Sequence, residues 1–187
     1  QWLWPATPRR ETPEPDGRPS PLATCARVWR QMDFSQPIEF HLRFAGDAER
    51  PETVSASLRS RTPAASGSWG RATDCRLELE VTPDTYTGGP LCPRLRFHAA
   101  QVESPWGIVQ DANVDAVLSG LSTNAGPVRI DWQASASQAS VPRVTWKKLS
   151  VKGASRAAQA DRFPWRTELD AASERVETEW GSGSCHS

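Results

Sequence analysis

Three Trp-Gly pairs set the frame of this chain: Trp69-Gly70, Trp106-Gly107 and Trp180-Gly181 stand 37 and then 74 residues apart, and 74 is twice 37. A leucine lies eleven residues before each Trp (Leu58, Leu95, Leu169), and Ala65, Val102 or Val176 lies four before. Glu103-Ser104 is echoed by Glu177-Thr178. Asp74 and Asp111 each follow a Trp by five residues, and then come Leu77, Leu79, Val81 in one copy and Val114, Ala116, Leu118 in the other. A recurrence of this length denotes a supersecondary unit that buries its apolar face only by stacking on its neighbours. The unit reads as strand, corner, strand, with the Trp-Gly pairs as structural corners that clamp one hairpin to the next.

The segments between corners alternate as half-buried strands do. Ile38, Phe40, Leu42 and Phe44 interleave with Glu39, His41 and Arg43; Leu77, Leu79 and Val81 interleave with Arg76, Glu78 and Glu80. Val128, Ile130, Trp132, Ala134 and Ala136 alternate again, followed by Val144, Trp146, Leu149 and Val151, where the repeat keeps its shape but its Trp is out of phase. A last hairpin, with Trp165, Leu169, Ala171 and Val176, stops at Gly181 with its return strand missing. Antiparallel hairpins in series tolerate water on one face. The expected fold class is therefore all-β, with repetitive antiparallel hairpins forming one curved sheet around a groove; a β-sandwich, in which a second sheet covers the apolar side, is the alternative. Phe40, Leu42, Leu79, Phe97, Val114, Leu118, Ile130 and Trp132 each hold the apolar phase of their strand, and they are expected on one continuous face.

Two regions follow. Residues 1–33 form a Pro-rich arm, with six prolines before Leu22 and a short helical spacing through Leu22, Cys25, Val28, Trp29 and Met32; residues 34–187 form the hairpin domain. The start at Gln1 without Met reads as a piece of a longer or processed protein. No window approaches the run of about 20 apolar residues that a membrane helix needs, and mean hydropathy is negative.

Several function classes drop out. The 22 basic and 22 acidic residues balance, which removes bulk electrostatics as a reason to bind nucleic acid. Cys25, Cys75, Cys92 and Cys185 lack the short spacings of zinc or redox motifs, and no metal or cofactor is expected; two disulfides or four separate thiols fit the count equally. Of the three histidines, His41 and His98 share their strand phase with charged residues and His186 sits in a Gly/Ser tail, so no nucleophile and base are nominated and no enzyme is expected. The tryptophans also suit a carbohydrate- or protein-binding sandwich module of a secreted protein.

The run Phe34-Ser35-Gln36-Pro37-Ile38-Glu39-Phe40-His41-Leu42, the Ser104-Pro105-Trp106-Gly107 corner with its following strand, and the hairpin period resemble the AsmA-like, TamB-related branch of the bridge-like lipid-transfer proteins. The resemblance spans roughly Phe34 to Ser184. It implies a β-taco whose hydrophobic trough takes phospholipid acyl chains, lined by Phe40, Leu42, Leu79, Phe97, Val114, Leu118, Ile130 and Trp132. It further implies a periplasmic location, a tether to the inner membrane by a segment absent from this chain, inner- and outer-membrane protein partners, and a part in phospholipid transport or outer-membrane assembly. The chain is much shorter than members of that family and lacks their amino-terminal anchor.

Overall fold

A computed structural model of the chain describes residues 31–47, 50–83, 92–119, 128–157 and 166–183. The chain divides into two units, Gln1–Met32 and Asp33–Ser187. The expected helix of the arm lies almost wholly outside the described residues.

Among the described residues the second unit is all-β, an open curved antiparallel sheet of eleven strands. They are β1 (Asp33–Phe34), β2 (Glu39–Asp47), β3 (Arg50–Gly67), β4 (Gly70–Thr82), β5 (Cys92–Ser104), β6 (Gly107–Ser119), β7 (Val128–Val141), β8 (Val144–Ala157), β9 (Arg166–Ala172), β10 (Arg175–Thr178) and β11 (Gly181–Gly183). β3 to β8 pair in chain order; β1 and β2 both lie on the free side of β3, and β9 and β10 both lie on the free side of β8. Each of these edge pairs is one long strand with a break. The sandwich alternative is not what forms, since all described strands belong to one sheet.

The 37-residue recurrence is the arithmetic of this meander. Two-residue turns join Gly67 to Gly70, Ser104 to Gly107, Val141 to Val144 and Thr178 to Gly181, so their second residues are Trp69, Trp106, Arg143 and Trp180. The repeat therefore does not lose phase in its third copy. Trp146 is a strand residue, and Arg143 takes the corner. Pro142 fixes its own φ near −65°, and the left-handed residue of that turn is Arg143 at φ 74°, whereas the outer Trp corners place it one residue later, at Gly70 (133°) and Gly181 (150°). The last hairpin also has the start of its return strand, β11.

Register is uniform, so each residue has its counterpart 37 positions on, two strands away at the same height and on the same face. Phe40, Ser60, Leu77, Phe97, Val114, Ala134, Val151 and Ala171 form one such row across eight strand positions.

One feature breaks the alternation in every long strand. Asp74, Asp111 and Lys148 adopt left-handed φ of 46°, 49° and 50°. They occupy a single row, at which the ladder pairing is interrupted and at whose ends the β1/β2 and β9/β10 breaks fall. Residues three apart across this row, Ala72 and Cys75 or Ala136 and Ala139, are both buried. In an unbroken strand they would point to opposite faces, so the backbone turns over there and the sheet is creased along a line crossing all strands.

The core sits in the crease. Ala65, Ala72, Cys75 and Ala99 cluster, with Phe97 packed on them from one limb and Trp69, Val102 and Phe34 from the other. Ala99 is 0% exposed although all described strands belong to one sheet. Folding of the sheet over this line explains that burial and the small residues along it: Thr62, Cys75, Ala99 and Ala136.

Candidate functional site

The inner face continues on the far limb of the crease, and each expected lining residue lies on it. Leu42, Leu58, Leu79, Leu95, Ala116, Trp132, Gly153 and Leu169 form a second row; Phe44, Ala56, Val81, Pro93, Leu118, Ile130, Ser155 and Thr167 form a third. With the Phe40 row, these hold Phe40, Leu42, Leu79, Phe97, Val114, Leu118, Ile130 and Trp132 on one surface. No charged residue stands in any of the three rows. No large side chain among the described residues is fully buried, and the edge strand leaves Phe40, Leu42 and Phe44 51%, 70% and 69% exposed. The face is largely apolar and free of charge, and among the described residues no second layer lies over it.

Seven residues of a strand beyond the crease, Arg76 to Thr82, span about 23 Å, and eight strand positions span about 34 Å. A single leaflet's hydrocarbon is about 15 Å deep, half of a bilayer core. The face therefore has room for more than one acyl chain side by side.

Trp132 shapes its middle. Its indole lies against Gly153, where an added Cβ would come within 2.5 Å of the ring. Its Nε1 donates to Ser155 Oγ at 3.3 Å, and Ser155 bonds Thr167 at 3.0 Å. The N–H of the one indole in these rows is thus satisfied, which keeps the surface apolar. Gly153 was not nominated from the sequence; its position opposite a strand Trp is the signal that finds it.

The opposite face carries the charges as cross-strand ladders. Glu78 accepts from Arg59 at 3.4 Å and Arg96 at 3.5 Å, Asp74 bridges Arg61 and Arg76 at 3.3 and 3.0 Å, and Glu177 bridges Lys147 and Arg175 at 2.9 and 3.0 Å. Arg94 grips Asp115 with two donors, Nε at 2.9 Å from Oδ1 and an Nη on Oδ2, and this hydrogen bonding holds the Asp115 carboxyl below its ordinary range. His98 Nδ1 lies 2.9 Å from Asn113 Oδ1. A depression of about 510 Å³ lies on this charged face between Arg76, Arg96, His98, Asn113, Asp115 and Gln133. Its ionic groups are already partnered across strands, so it offers little unspent charge, and the apolar face is the stronger candidate despite lacking a closed cavity.

The corners divide. Trp69 packs on the crease cluster, as a clamp does. Trp106 and Trp180 are 73% and 81% exposed and clamp nothing. The expected clamp is corrected for these two: their turns lie at the sheet's end, where no second layer reaches the rings. What locks the hairpins together is glycine. A Cβ on Gly70 would stand 1.9 Å from the Glu103 carbonyl oxygen, and one on Gly107 would stand 2.1 Å from that of Ser140, each on the next hairpin; Gly181, at the last hairpin, has nothing within 4 Å. The Glu-Ser and Glu-Thr echo also has a use: Ser104 Oγ accepts from Trp106 N and donates to Gly107 O, and Thr178 Oγ1 does the same at Trp180 and Gly181.

Cys75 is a buried free thiol, raised above its ordinary pKa by burial and then by Asp74; Cys92 is also free. Among the described residues no helix is long and apolar enough to cross a membrane. No family model, curated protein or solved structure matches this chain.

Proposed function

We propose that the uncovered apolar face is a trough for acyl chains, and that the chain is a segment of a protein that carries phospholipid between membranes or supports outer-membrane assembly, in the periplasm. The observation that supports this reading is a three-row surface without a charge, continuous from β2 to β9 and, among the described residues, covered by no second layer. Burying a 16-carbon chain gains about 12 kcal/mol over water, at about 0.8 kcal/mol per CH₂. Against a bilayer the net is near zero. A chain therefore slides along such a face without a deep trap, and no polar group is needed to hold it.

Lipid retained through purification tests the proposal. The chain purified from cells without detergent should carry phospholipid detectable by mass spectrometry of an organic extract. Leu79→Asp with Val114→Asp, two charges on adjacent rows of the face, should lose most of it while leaving the sheet's circular dichroism unchanged. Folded wild-type protein free of lipid after such a purification and after incubation with vesicles would defeat the reading.

A further inference from the structure

Four two-residue corners fall at the same end of the sheet, so the residues at their tips form a rim, in the order Trp69, Trp106, Arg143, Trp180 at intervals of two strands. Trp106 and Trp180 are separated by four strand spacings, roughly 19 Å. Two more apolar side chains sit beside them: Ile108 is 42% and Val141 38% exposed, against 73% and 81% for the two rings. Four of the exposed large apolar residues of the described chain thus gather on one rim. Its charges cancel, because Arg143 faces Glu179 at 3.7 Å and Arg71 is register-paired with Glu103.

We propose that this corner rim seats the molecule on the surface of a lipid membrane, with Trp106 and Trp180 inserted at the level of the headgroups. An indole has an apolar body and one donor, which suits the boundary between hydrocarbon and water. Two exposed rings carried on turn tips along one edge can meet a membrane surface together; a sugar platform needs rings laid side by side on a face. The rim also bounds the inner face. From Gly107 the same side of β6 continues as Val109, Ala112 and Val114, so a lipid leaving the bilayer at the rim meets apolar surface without a charged step. The neutral rim further dictates which membrane suffices: the attraction comes from the rings, not from anionic headgroups, and salt should not release it.

The rim proposal stands without an occupied trough, and its test reads the rings alone. The full chain is mixed with vesicles of phosphatidylcholine, with and without phosphatidylglycerol, and floated at low and high salt; quenching of its fluorescence by phosphatidylcholine brominated along the acyl chain is measured in parallel. Wild-type protein should float with pure phosphatidylcholine, equally within twofold at both salts, and be quenched. Trp106→Ser with Trp180→Ser should weaken partitioning at least tenfold with circular dichroism unchanged, whereas Asp170→Asn on β9 should not. No partitioning of folded wild-type protein into phosphatidylcholine, flotation that requires phosphatidylglycerol and is lost in salt, or a double variant that floats as the wild type does would each overturn it. A double variant that floats unchanged but has lost self-association would assign the rim to protein contact instead. Flotation through the rings with no lipid retained in the protein would remove the trough and leave the rim.

Discussion

At the residue scale, the corner tryptophans separate what a motif signals from what its side chain does. Trp69 and Trp106 share a spacing, a following glycine and a following Asp, yet one is packed on the crease cluster and the other is 73% exposed. Trp106→Ala should change unfolding free energy by no more than about 0.5 kcal/mol, as surface substitutions do. Trp69→Ala should cost about 2 kcal/mol, roughly half of what a wholly buried aromatic costs. Chemical denaturation of both variants checks the contrast, and equal losses would return both rings to the clamp role. The Arg94–Asp115 pair gives a pH-dependent counterpart. Because Arg94 depresses the Asp115 carboxyl in the folded chain, its contribution is complete above the ordinary carboxylate value of about 3.9 and is lost as pH falls through the lowered folded value. The side chains are 43% and 41% exposed, so screening limits the pair to about 0.5 kcal/mol. Asp115→Asn should be less stable than wild type by about that much near neutral pH, and the gap should close as pH falls through the lowered folded value of Asp115. A deficit that persists in acid would point to packing rather than the charge.

At the scale of elements, the strands and their pairing order were legible because period-2 alternation and the Trp-Gly corners report local geometry directly. The crease was not, since an Asp in mid-strand only weakly favours the left-handed conformation that Asp74 and Asp111 adopt, and Lys148 does not favour it at all. A trace of it is nonetheless present: apolar residues lie three apart in successive strands, as Ala72 and Cys75, Ala99 and Val102, Val109 and Ala112, Ala136 and Ala139, Trp146 and Leu149. Taken strand by strand, each pair resembles ordinary noise in an alternating pattern; aligned on the 37-residue period they form a line. The phase loss inferred at Trp146 has the same origin, because a Trp was followed where the turn geometry was the conserved feature of the repeat, and Pro142-Arg143 meets that geometry with other residues. Cys75 reports on the crease. Its burial and raised pKa predict that it is alkylated at least ten times more slowly than Cys92 at pH 8 in the folded chain, with the two rates converging in denaturant. Site-resolved mass spectrometry measures both, and a fast-reacting Cys75 would mean that the crease opens readily.

For the whole molecule, the balanced composition is the sum of two unlike faces. Among the described residues charged side chains form ladders across one side of the sheet, and the three rows on the other side have none. Sequence alternation was enough to place all eight expected lining residues together, because uniform register carries each strand's apolar phase onto the same surface. Whether that surface would be covered was not legible, since a strand's pattern is the same whether its apolar side meets a second sheet or nothing. In the proposed function the charge-free face takes acyl chains and its reverse does not. Photo-crosslinking amino acids placed singly at Leu79 or Leu118, and at Glu78 or Asp115, test it most directly, since Leu79 and Glu78 are neighbours in β4 that point to opposite sides. Irradiation with phospholipid vesicles should yield lipid adducts at Leu79 and Leu118 and none above background at Glu78 and Asp115; equal capture on both faces, or none on either, would contradict the account.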